Sequence, residues 1–115
     1  APIKVSNAGM AVVGDKAFAS ASAFLIKRIK EGYNPQIDSK ETPVQIRIAT
    51  NEKIPSEGYH LEIRGKRVLI LASDEKGAFY GVQSFLALLP LGFWDNQTSS
   101  IELAQIEIDD FPSSP

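Results

Sequence analysis

The chain has 115 residues, a formal net charge of −2, 43% hydrophobic and 23% charged residues, and no cysteine. This describes one globular domain able to bury a core, and it excludes a disordered chain, disulfides and thiolate metal sites. Acids and bases are interspersed, so neither nucleic acid nor a membrane is expected as a partner.

No stretch reads as a signal peptide or a membrane span. The start at Ala1-Pro2 rather than Met points to processing, or to excision from something longer. Residues 2–13 read as one or two short strands, broken by Ser6-Asn7-Ala8-Gly9. Asp15 then opens a helix that runs to about Lys30 and is closed by Gly32. Its apolar face is Phe18, Ala21, Leu25, Ile26 and Ile29. The small residues from Ala17 to Ala23 leave room for another element to come close. Tyr33-Asn34-Pro35 ends the helix, and a polar linker leads to Thr42.

Val44 to Ala49 alternates apolar and polar residues as a strand does. A loop, residues 50–58, leads to a strand over Tyr59–Arg64, with Tyr59, Leu61 and Ile63 facing in and His60, Glu62 and Arg64 facing out. Gly65-Lys66 suits a primed two-residue turn into Arg67–Ala72. The uncharged run Val68–Ala72 predicts a central strand.

Asp74 is placed to cap the next helix, with Glu75 at its positive end, and Pro90 stops it at about Leu89. Phe79, Val82, Leu86 and Leu89 form one stripe, with Ala78, Phe85, Gly81 and Leu88 beside it. No charge occurs between Gly77 and Trp94. A helix so apolar is buried on more than one side, by a second helix or by a surface outside the chain. Ile101–Ile108 is a last strand whose alternation changes phase near Ala104, predicting a bulge or break. The sum is an α+β fold: a largely antiparallel sheet, wet on one face, with two helices packed on the other.

Chemistry is harder to find. His60 is the sole histidine and lies in an outward register, and His60-Leu61-Glu62 lacks the cysteines that a zinc deaminase needs. Asp109 and Asp110 are neighbours on a strand and so point to opposite faces. Gly77-Ala78-Phe79-Tyr80-Gly81 lacks the P-loop pattern and reads as glycines admitting another backbone. Phe93-Trp94 reads as a plug into a neighbouring domain more readily than as a sugar platform. No catalytic, cofactor or metal signature is present.

Three runs nonetheless form a pattern: Glu57-Gly58-Tyr59-His60-Leu61-Glu62-Ile63, Val68 to Asp74, and Gly77 to Ser84 with Leu88-Leu89-Pro90. With Ile106 to Pro112 they resemble the domain preceding the catalytic barrel of glycoside hydrolase family 20, the β-N-acetylhexosaminidases. Family 84, whose preceding domain is similar, is the second choice, since Ser113-Ser114-Pro115 depart from family 20. The resemblance implies that residues 1–112 are one accessory domain ahead of a barrel that lies beyond this chain, with 113–115 a linker or an artificial end. It implies helices facing that barrel, no catalytic residue here, no cofactor, and export of the parent hydrolase to the periplasm or medium. The docking candidates are Tyr80, Ser84, Leu88, Phe93 and Trp94, and the isolated domain is expected to self-associate through that face. The alternative is an autonomous carbohydrate-binding module using exposed aromatics.

Overall fold

The computed structural model describes residues 3–6, 10–32, 44–89 and 100–111. In chain order these form β1 (Ile3–Ser6), β2 (Met10–Gly14), a 3-10 turn (Lys16–Phe18), α1 (Ala19–Gly32) and β3 (Val44–Thr50). Next come β4 (Tyr59–Arg64), β5 (Arg67–Ala72), α2 (Glu75–Leu88), β6 (Ser100–Leu103) and β7 (Ile106–Asp110). Five strands make one sheet in the order β2-β3-β5-β4-β7, and β1 pairs antiparallel with β6 in a separate ribbon.

The α+β class holds, with both directions of pairing in the main sheet. β5-β4-β7 is antiparallel, whereas β2-β3 and β3-β5 are parallel. Parallel neighbours need a crossover, and α1 supplies the one from β2 to β3. β5 lies at the centre, as its uncharged run predicts.

The strands bury alternate residues against the helices. Val44, Ile46, Ile48, Tyr59, Leu61, Ile63, Val68, Ile70 and Ala72 are all in the core. α1 adds Ala21, Leu25 and Ile29, with Phe18 from the preceding turn. Ile26, expected on that face, is 39% exposed. It follows Leu25 by 100° around the helix, which carries it off the packed stripe.

Two polar residues tie distant segments together. Asp15 makes no side-chain cap bond, and its carboxylate instead accepts from the Thr50 amide at 2.8 Å, pinning the end of β3. The predicted break before β7 falls at Ala104-Gln105. There the Gln105 side chain accepts from the Gly65 amide and donates to the Gly65 and Leu103 carbonyls. One amide group therefore ties the strand break to the hairpin turn, where Gly65 has φ +60°.

Candidate docking face

α2 is built at its start by Asp74. The carboxylate accepts from the Gly77 amide at 2.9 Å, as an N-cap should, and from the Ser56 hydroxyl at 2.7 Å. It also accepts from the Glu57 amide, at 3.0 Å through Oδ2. The cap thus fastens the loop before β4 as well as the helix. The Ser56 bond foremost, then those from Gly77 and Glu57 and the charge of Lys76, hold the Asp74 carboxyl below its ordinary value, against a partial opposing effect of burial.

Gly77 admits another backbone, as the sequence reading expects, whereas Gly81 admits side chains of the sheet instead. A Cβ at 77 would overlap the Gly58 carbonyl, and one at 81 would meet Ile70 Cγ2 at 2.6 Å. The helix is drawn onto the loop and the sheet at these two points. Its buried face is centred on Ala78, Gly81, Val82 and Phe85, with Leu86 and Leu89 extending it. Phe79, expected between helix and sheet, is half-buried and turns sideways onto Phe24 of α1, ring centroids 4.8 Å apart. α1 is therefore one of the further covers that the apolar α2 requires.

An uncovered arc remains. Tyr80 is 43% exposed, Gln83 and Ala87 are exposed, and Ser84 and Leu88 are half-buried. Phe93 and Trp94 lie outside the described residues. Of the five docking candidates, the structure thus brings Tyr80, Ser84 and Leu88 to one side of α2.

Beside that arc, Glu57, Tyr59, Tyr80 and Asp110 line a shallow notch of about 280 Å³. The Tyr59 hydroxyl donates to Asp110 Oδ2 at 3.3 Å and shares a further hydrogen bond with the Ser84 hydroxyl. Phe111, 44% exposed, lies against Gly58. The sequence reading did not put Tyr59, Asp110 or Phe111 on this face. The signal was the Asp109-Asp110-Phe111 run at the end of β7, where the two carboxylates were read only as pointing to opposite faces.

On the outer face of the sheet, the polar groups of β4 and β7 engage one another. His60 Nδ1 is 2.6 Å from Asp109 Oδ1, and Arg64 pairs with Glu62 and with Glu107 at 3.2 Å. Asp109 reaches His60 while Asp110 reaches Tyr59, so the adjacent carboxylates do point to opposite faces. His60, Glu107 and Asp109 offer ligand atoms within 4.8 Å of one another. Arg64 already holds Glu107, so a cation there would compete with a guanidinium. No helix among the described residues is long and apolar enough to cross a membrane.

Residues 3–111 match the model of the family described as glycosyl hydrolase family 20, domain 2. Among solved structures, the Streptomyces plicatus N-acetyl-beta-hexosaminidase is similar at 26% identity and TM-score 0.71, over 97% of this chain and 23% of that one. The GH20 beta-N-acetylhexosaminidase from Streptomyces coelicolor A3(2) is similar at 24% identity and TM-score 0.73, over 97% of this chain and 24% of that one. CpGH84B is similar at 20% identity and TM-score 0.67, over 96% of this chain and 20% of that one. The last two carry the fold alone. This chain spans only 20–24% of the length of these three proteins.

Proposed function

This chain belongs to the family of glycosyl hydrolase family 20, domain 2, and on that premise we propose that it is a non-catalytic accessory domain. In this reading it packs the uncovered side of α2 against the catalytic (β/α)8 barrel of the same polypeptide. That barrel removes terminal N-acetylhexosamine from glycans, and the domain stabilises it without chemistry of its own. The parent protein acts outside the cytoplasm.

The observation that supports this most directly is the arc of Tyr80, Ser84, Ala87 and Leu88 on a helix with no charge between Gly77 and Leu89. A helix surface left to water ordinarily carries charge. The Ser84, Tyr59 and Asp110 hydrogen bonds beside it fix the side chains at one edge, so that a partner meets a shaped surface.

Hydrolysis through the substrate's acetamido group needs two carboxyl groups aimed at one sugar. The carboxyls next to each other in sequence here are separated: Asp109 and Asp110 by the sheet, Asp74 and Glu75 by the capping role of Asp74. The test compares the 115-residue chain with the longer protein of its own reading frame on a chromogenic N-acetylglucosaminide. Turnover is expected from the longer protein only. Turnover by the purified short chain, or a longer protein without a barrel, overturns the reading.

A further inference from the structure

The sheet face away from the helices carries a cup that the docking reading leaves unused. Arg67 lies opposite Gln45 and Leu69 opposite Arg47 on the β3-β5 ladder, and Arg64 lies opposite Arg67 across the hairpin. Successive strand residues alternate between faces, so Gln45, Arg47, Arg64, Arg67 and Leu69 share one side. Together with Glu62 and Val68 they line an open concavity of about 460 Å³.

Its charge runs against that of the chain. Three guanidinium groups face one carboxylate there, in a chain whose net charge is −2. Arg64 is engaged by Glu62 and by Glu107 just outside the cup. The guanidinium groups of Arg47 and Arg67 have no ion-pair or hydrogen-bond partner among the described residues. Like charges directly opposite on a ladder repel, and Arg64 with Arg67 is such a pair. An anion held between the guanidinium groups would relieve that repulsion. The planar forks of Arg47 and Arg67 suit the paired oxygens of an oxyanion, the Gln45 amide adds a donor, and Leu69 is an apolar floor.

We propose that this cup binds a small tetrahedral oxyanion, sulfate or phosphate, free or as an ester on a sugar. Arg47 and Arg67 are the principal donors, and Gln45 and Arg64 sit at the sides. The cup lies on the face opposite α2, so the inference stands independently of barrel docking.

The test is an amide NMR titration of the 115-residue chain with sodium sulfate, sodium phosphate and glucose 6-phosphate, against sodium chloride at matched ionic strength. Saturable shifts are expected at Gln45, Arg47, Arg64, Arg67 and Leu69. Binding should weaken roughly tenfold or more in Arg47→Ala and in Arg67→Ala, as loss of a charge-assisted hydrogen bond implies. Arg67→Lys, which keeps the charge and loses the fork, should fall between, and Lys27→Ala on α1 should change nothing. Equal binding of phosphate and glucose 6-phosphate identifies the free ion as sufficient. Tighter binding of glucose 6-phosphate identifies an ester, and either result supports the site. Shifts that follow chloride without saturating, or binding that survives both alanine variants, overturn it.

Discussion

The carbonyl oxygen of Gly58 occupies the space in which a side chain at Gly77 would have to stand. This contact seats the first turn of α2 on the loop before β4. Inside a helix, alanine ordinarily stabilises over glycine by about 1 kcal/mol. Here Gly77→Ala should instead destabilise, by about 1–3 kcal/mol, because the loop backbone must move. Chemical denaturation of the two proteins measures the sign, and a more stable alanine variant would count against the packing.

Asp74 ties the same two segments electrostatically, and its effect depends on pH. Its carboxyl is held below 3.8, first by the Ser56 hydroxyl. A carboxyl depressed by folding stabilises above its unfolded pKa and loses that contribution as pH falls through the folded value. Asp74→Ala should cost about 1 kcal/mol near neutrality through the lost cap. The gap between variant and parent should close as pH falls through and below the ordinary carboxylate range. Ser56→Ala should close part of it. Thermal unfolding as a function of pH checks both, and a gap that widens in acid is the contrary result.

Leu86 and Leu88 separate the inside of the domain from its outer side. Leu86 is buried and Leu88 half-buried. Leu86→Ala should cost about 2–5 kcal/mol in the 115-residue chain. Leu88→Ala should cost clearly less there and, on the proposed docking, more in the longer protein. Equal losses in the two proteins would mean that the docking face lies elsewhere.

Tyr80 offers a charge test of the same face. Its exposed ring in the short chain makes Tyr80→Glu a surface change, worth within about 0.5 kcal/mol. On the proposed docking, the carboxylate would enter a dry contact in the longer protein and should lower its melting temperature. The isolated chain should also self-associate through this patch, and the charge should weaken that association in sedimentation. A variant that behaves identically in both lengths of protein would remove Tyr80 from the interface.

Ser22 presents its hydroxyl to Gly14 of β2, buried and without a hydrogen-bond partner among the described residues. Such a group costs its desolvation, so Ser22→Ala should be neutral or stabilising by about 1 kcal/mol. A marked loss of stability would reveal a partner for the hydroxyl.

Much of this molecule is legible in local pattern. Alternation at Val44, Ile46 and Ile48, and at Tyr59, Leu61 and Ile63, sets which side of each strand is buried. The phase change between Leu103 and Ile106 marks the strand break, and Asp74 marks the helix start, since caps and periods are properties of adjacent residues. The Gly77-to-Ser84 run, with its neighbours, led to the family.

Other features needed contacts between distant residues. The parallel partners of β3 depend on how α1 carries the chain across, and alternation is the same in either direction. Asp15 faced a choice between its own helix and Thr50, and Phe79 between the sheet and Phe24. Asp110 joins Tyr59 and Ser84 from three separate elements, and Arg47, Arg64 and Arg67 share a cup only because β5 lies between β3 and β4. The sequence by itself determined which residues of β3 and β4 turn inward, because that needs only the local period. The pairing of elements decided which outward residues meet.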